Sequence, residues 1–209
     1  MADLYEFVWW ERLYELCFLL YEKIMESGYN PDVIIGVARG GWVPARVLSD
    51  LFFMPDTANV KVDLYRGIYA RNERPRVSQS IPDDMQWERP LVVDDISDSG
   101  DSLKAALEHL DGRGLKNIRT ACVHMKPWTS LVPDFYVVQT KAWVIYPWEM
   151  KEFTFDFANQ LAEQKVAPTE IKNRLLQLGL PMHYAGYFLK QWQTVEGHRT
   201  RGKESRRDE

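Results

Sequence analysis

The apolar run at Leu91 drives straight into a polar turn: LVVDDISDSGDSL, ending at Leu103, holds four aspartates, three serines and one glycine. Two neighbouring carboxylates at the end of a buried strand, Asp94 and Asp95, are costly unless something binds them. As oxygen acceptors they can hold vicinal hydroxyls or, through water, a divalent cation. Just beyond them, Gly100 permits close backbone approach, and Ser99 and Ser102 offer hydroxyl donors. Backbone N–H groups at the start of the following helix complete an anion site of phosphate size. A phosphate site beside a pair of diol acceptors describes a ribose 5-phosphate site. Neither a Walker lysine nor G-x-G-x-x-G spacing is present, which disfavours triphosphate and dinucleotide loops.

Such a turn needs a strand before it and a helix after it. PLVVDDI reads as the strand, and in LKAALEHLDGRG the residues Leu103, Leu107 and Leu110 recur helically until glycine stops them. Upstream, Leu13, Leu16, Leu20 and Ile24 form the stripe of an amphipathic helix, and Gly28 sits where a terminating glycine belongs. PDVIIGVARGG predicts a buried strand entering a tight loop, with a helix starting at Pro44 in WVPARVLSDLF and a strand in NVKVDLY. IRTACVHMK, FYVVQT and AWVIYPW supply further strands up to Trp148. This alternation predicts an α/β fold, a mostly parallel sheet flanked by helices, in which ligands sit beyond the carboxyl ends of the strands. Residues 66–88 show two prolines, mixed charge and no sustained period; a loop of that length is usually functional or disordered.

After Phe153 the character changes. The segments EFTFDFANQLAEQ, PTEIKNRLLQLGL and MHYAGYFLKQW predict two or three short helices. The expected organisation is one domain over residues 1–150, a helical extension over 151–194 and a disordered tail over 195–209. The 209 residues carry a net charge of −4, which leaves no electrostatic footprint for nucleic acid. With only Cys17 and Cys122 there is neither a disulfide framework nor a thiolate metal cluster, and no run of eighteen apolar residues occurs. A cytoplasmic protein without a membrane partner is expected.

The run Val92, Val93, Asp94, Asp95, Ile96, Ser97, Asp98, Ser99, Gly100, Asp101, Ser102 resembles the phosphoribosyl-pyrophosphate (PRPP) motif of the type I phosphoribosyltransferases. IIGVARGGWVPA resembles that family's pyrophosphate loop, with Arg39 and Gly40 at the receiving positions. VHMKPW followed by AWVIYPWEM resembles the base site of the 6-oxopurine branch, above all the xanthine-guanine enzymes. The resemblance covers residues 8–149. It implies transfer of the phosphoribosyl group from PRPP to hypoxanthine, guanine or xanthine, with release of pyrophosphate, in purine salvage.

The same resemblance assigns roles. Asp94 and Asp95 would bind the ribose and help position Mg²⁺, and Asp98 would take the imidazole proton as general base. Ser99, Gly100 and Ser102, with Asp101 in the variable slot, would hold the 5-phosphate. A carboxylate at 101 must point outward or weaken that grip. Lys126 would donate to the purine O6, Trp143 would stack on the ring, and the Val144 backbone would read its edge. Glu149 stands where relatives carry an acid that can ligand a second Mg²⁺. Residues 66–88 would form a hood that closes over PRPP, with Arg66, Arg71, Arg74 and Arg76 as candidates to reach the pyrophosphate.

Trp9, Trp10, Trp87 and Trp128 read as packing or lid contacts, and His124 as a core or near-site residue. The terminal helices read as a cap or subunit contact, and relatives of this family are commonly dimers or tetramers. Two rival readings are a non-catalytic PRPP or nucleotide sensor and an enzyme for another base such as adenine. Lys126, Trp143 and Asp98 speak against the first, because a PRPP sensor needs no purine site, and Lys126 speaks against the second, because an ammonium opposes an exocyclic amino group.

Overall fold

The computed structural model describes residues 4–65, 74–82 and 85–204, with side chains for residues 4–63, 75–82 and 85–195. The elements run β1 (Tyr5–Phe7), α1 (Trp10–Glu26), β2 (Val33–Ala38), α2 (Trp42–Leu51), β3 (Thr57–Tyr65), β4 (Arg74–Gln79) and β5 (Pro90–Ser97). They continue with α3 (Asp101–Gly112), β6 (Arg119–Met125), β7 (Phe135–Gln139), β8 (Trp143–Ile145), α4 (Met150–Glu163), α5 (Pro168–Gln177) and α6 (Met182–Glu204). The chain divides into two units, Glu11–Lys141 and Met1–Trp10 with Ala142–Glu209. The division falls at 10/11 and 141/142 rather than at 150, because β8 pairs with β1 in a two-stranded ladder of its own instead of extending the main sheet.

The larger unit holds a six-stranded sheet of order β4-β3-β2-β5-β6-β7. Every pairing in it is parallel except β3 with β4. Strands β2 and β5 are buried almost end to end, as near-continuous apolar runs covered on both faces must be. On one face Val33, Ile35, Val37, Val92 and Cys122 pack with Leu103, Ala106 and Leu110 of α3, and Trp87 packs on the same cluster. Helix α1 buries Leu13, Leu16, Cys17, Leu20 and Ile24, and Gly28 follows it at φ +76°. Helix α2 starts at Trp42, two residues before the expected Pro44. Proline is tolerated through a helix's first turn, where backbone N–H groups have no partner in the helix to lose.

The stretch 66–88, expected to be structureless, contributes β4. Its apolar signal is confined to Pro75 and Val77, too short to reveal a period, and Val77 pairs with Val62 of the neighbouring strand. Pro75 is accommodated because β4 is an edge strand. Arg66 and Arg71 lie outside the described residues; Arg74 and Arg76 belong to β4, and Arg76 is exposed and opposite Asp63.

In the smaller unit, α4, α5 and α6 bury Phe153, Phe157, Leu161, Ile171, Leu175, Leu189 and Trp192, with Tyr5, Phe7 and Trp9 of the N-terminal segment against the same cluster. Trp192 Nε1 donates to Asn159 Oδ1 at 2.7 Å. Helix α6 runs to Glu204, into the stretch expected to be a disordered tail. Arg, Lys and Glu there are good helix formers, and extending a nucleated helix adds one hydrogen bond per residue fixed.

Candidate active site

Strand β5 has β2 on one side and β6 on the other, so the turns that leave these three strands emerge side by side. The chain order reverses between β2 and β5, where open α/β sheets bind ligands. Asp94 and Asp95 are the last acids of the strand and are only 8% and 6% exposed. The Asp95 N–H donates to Asp94 Oδ1 at 3.0 Å, and the Ile96 N–H to Asp95 Oδ1 at 2.7 Å. Burial pushes the Asp94 carboxyl well above the usual carboxylate range and the neighbouring Asp95 carboxylate adds to the push, against the backbone N–H groups of Asp95 and Gly41. Cys122, opposite Asp94 in the β5–β6 ladder, is raised for the same reasons, burial first and then the two aspartates.

The turn after β2 comes up against that pair. Arg39 is exposed, the Ala38–Arg39 peptide is cis, and the Gly41 N–H closes the turn on the Val37 carbonyl at 2.8 Å. A Cβ at Gly40 would overlap the Asp95 carboxylate, and one at Gly41 would overlap the Val93 and Val37 backbone. These glycines are therefore what lets the β2 loop lie against the end of β5.

Beyond the acids, Gly100 takes φ +86° as the residue preceding α3, a conformation that disfavours any side chain. The Lys104 N–H donates back to its carbonyl at 2.9 Å, so α3 starts with its first-turn N–H groups at the turn. Ser99 and Asp98 are exposed and Ser102 is half-buried. Asp101 is exposed, and its carboxylate is tied to the turn itself. Its Oδ2 accepts from the Ser99 hydroxyl at 2.9 Å and its N–H donates to Ser99 Oγ at 3.3 Å, so a carboxylate stands on a hydroxyl expected to serve the phosphate.

Lys126 is 3% exposed, just past the end of β6, and its N–H donates to the Ser97 carbonyl at 2.9 Å. The next residues are ones whose part in the site the sequence reading missed. Ser130 Oγ and N–H both donate to the Ser99 carbonyl, at 2.6 and 2.9 Å. Ser97 Oγ and Thr129 Oγ1 share a bond of 2.8 Å, and the Trp128 Nε1–H donates to Asp98 Oδ1 at 2.8 Å. The turn after β6 thus stitches down the turn after β5. A signal for this was available: a hydroxyl pair and an indole directly follow a strand-end lysine.

Trp143, Val144 and Glu149 belong to the other unit. Trp143 is 64% exposed, and Val144 is buried in β8, opposite Glu6 of β1. The second edge of β8 has no strand partner among the described residues. Glu149 precedes α4, and its Oε2 accepts the Tyr146 N–H at 3.1 Å, a turn-closing role. A cavity of about 490 Å³ in this unit is lined by Tyr5, Trp143, Phe153 and Phe157 together with Glu149, Glu152 and Asp156.

Parallel strands that deliver an acid pair, a phosphate-sized turn at a helix start and a glycine loop to one end define the phosphoribosyltransferase class. The phosphoribosyl transferase domain family matches residues 10–160, and the chain belongs to it. A xanthine-guanine phosphoribosyltransferase of Gluconobacter oxydans is 28% identical over 147 residues, 69% of this chain and 84% of that protein. The crystal structure of a purine phosphoribosyltransferase from Pyrococcus horikoshii is 40% identical, covering 69% of this chain and 93% of that one at a TM-score of 0.62. A Helicobacter pylori xanthine-guanine-hypoxanthine phosphoribosyltransferase, at 21% identity and a TM-score of 0.63 over 73% of this chain and 98% of that one, shares the fold. No helix among the described residues is long and apolar enough to cross a membrane.

Proposed function

We propose that this enzyme transfers the 5-phosphoribosyl group of PRPP to a 6-oxopurine, releasing pyrophosphate, in a Mg²⁺-dependent reaction of purine salvage. The observation that carries the reading is the single strand end at which Asp94 and Asp95, the Gly100 turn and the start of α3 adjoin the Gly40 loop and Lys126. The names of the relatives support a purine acceptor.

In this reading the reaction passes through an oxocarbenium-like sugar, and catalysis is chiefly the placement of charge. Asp94 and Asp95 hold the ribose hydroxyls; Ser102 and the first N–H groups of α3 hold the 5-phosphate. Arg39 and the backbone of its loop receive the pyrophosphate. Asp98 takes the purine's imidazole proton and Lys126 offsets negative charge growing on O6.

The donor set suits a hard divalent ion, being two adjacent carboxylates with oxygen donors only. No group of three or more His, Cys, Asp or Glu that could hold a metal occurs among the described residues, so such an ion would be completed by substrate phosphates and water. When bound, Mg²⁺ supplies positive charge against the leaving pyrophosphate.

The test is a substrate panel. Purified protein with PRPP and Mg²⁺ should form the nucleoside monophosphate from at least one of hypoxanthine, guanine and xanthine, should favour these over adenine, and should stop on chelation. Absence of turnover with all three oxopurines overturns the reading.

A further inference from the structure

Trp128 is 56% exposed, an unfavourable place for an indole that has only packing to do. What it touches is the chemistry. Its Nε1–H donates to Asp98 Oδ1 at 2.8 Å, and the Lys126 ammonium stands 5.5 Å from its ring centroid. One side chain therefore meets both the carboxylate read as general base and the ammonium read as the partner of O6. Its backbone is held in turn, because the next two residues are bonded to the strand end that carries Asp98, through Thr129 to Ser97 and through Ser130 to Ser99.

We propose that Trp128 is a positioning residue for phosphoribosyl transfer: its indole N–H fixes the Asp98 carboxylate so that Oδ2 faces the proton it takes, while its ring face seats Lys126. The inference rests on the reading of Asp98 as the base. An exposed aspartate on a turn has two free side-chain torsions, and either one can swing the accepting oxygen out of reach. A donor at 2.8 Å to a charged acceptor removes that freedom at Oδ1 and leaves the other oxygen's direction defined. The turn after β6 supplies the geometry and the turn after β5 supplies the proton acceptor, which explains why the two are stitched together. The ring adds a cation–π contact that helps hold a nearly buried ammonium.

The experiment is a double-mutant cycle read by single-turnover rate at saturating PRPP, Mg²⁺ and oxopurine. Trp128→Phe keeps a ring beside Lys126 and removes the N–H. The expected result is a rate about tenfold lower, the scale of one hydrogen bond to a charged group, with the KM for PRPP unchanged. Asp98→Asn is expected to lower the rate by about 10²–10⁴. In that background Trp128→Phe should cost nothing further, because its effect runs through the carboxylate. Trp128→Ala should additionally raise the KM for the purine, through Lys126. A wild-type rate for Trp128→Phe, or an equal loss with and without Asp98, overturns the positioning role and leaves the base reading intact. A wild-type rate for Asp98→Asn overturns both.

Discussion

A methyl group at position 40 probes whether the aspartate pair must stand where β5 leaves it. The Cβ of Gly40→Ala would overlap Asp95 Oδ2 and lie 2.5 Å from Cγ and 2.6 Å from Oδ1, where ordinary contact begins near 3.4 Å, so the carboxylate must retreat by about 1 Å. Asp95 is 6% exposed and its Oδ1 holds the Ile96 N–H at 2.7 Å, so the retreat strains that bond and presses into packed interior. If Asp95 orients the reacting sugar as proposed, displacing it by about 1 Å costs on the order of a hundredfold in rate. The weakened hydrogen bond adds roughly 1 kcal/mol of destabilisation, a shift of a few degrees in Tm. Initial rates over a range of PRPP should therefore give a kcat/KM about two orders of magnitude lower, with circular dichroism still reporting a folded protein. In an Asp95→Ala background, where the obstructing carboxylate is gone, the same methyl should add little. Wild-type kinetics for Gly40→Ala, or equal damage with and without Asp95, would refute the argument that Gly40 exists to clear this carboxylate.

Three further outcomes are expected. Asp101→Ala releases the Ser99 hydroxyl and removes a negative charge from the phosphate turn, so PRPP should bind several-fold tighter, about 0.5–1 kcal/mol on the scale of a surface charge contact, and the gain should shrink in high salt; calorimetric titration at two salt concentrations checks it, and weaker binding refutes it. Asp94 binds its proton more tightly folded than unfolded. Its contribution to stability is therefore most favourable below the ordinary carboxylate range near pH 4 and declines as pH rises toward its elevated folded value. Substrate-free Asp94→Asn should thus gain in Tm relative to wild type as pH rises across that window, and parallel melting curves that never diverge contradict it. If Trp143 stacks on the purine as the family resemblance implies, Trp143→Ala should raise the KM for the purine about tenfold or more, the scale of losing one aromatic platform under a base, while the KM for PRPP stays the same; an unchanged purine KM refutes that role.

The strand, turn and helix around Asp94–Ser102 were legible because their signals are local: an apolar run, a glycine at the turn and leucines at helical spacing. The parallel order followed from alternation of elements. What escaped was set by partners distant in the chain. Strand β1 is three residues, Tyr5–Phe7, that become a strand only by pairing with β8, and β4 needs β3 beside it. Trp128 reaches Asp98 across thirty positions, with no periodicity to announce it. The turn of Asp101 back onto Ser99 is a different miss, since a serine two residues before an acid at a helix start is a local hydrogen-bonding pattern that can be read directly.

Strand β5 has a hydrogen-bonded neighbour on each side and is buried almost throughout. Amides in such a strand exchange with solvent only when the whole cooperative unit opens. The residues read as gripping the sugar are therefore attached to the last part of the Glu11–Lys141 unit to come apart, so the strand end beneath the site is dismantled by global rather than local unfolding. Occupancy should be reported in full by melting: a ligand at a hundred times its Kd adds about 2.7 kcal/mol to the unfolding free energy, several degrees for a unit of this size. Candidate sugars, phosphates and purines can thus be ranked by heat alone, before any turnover is measured.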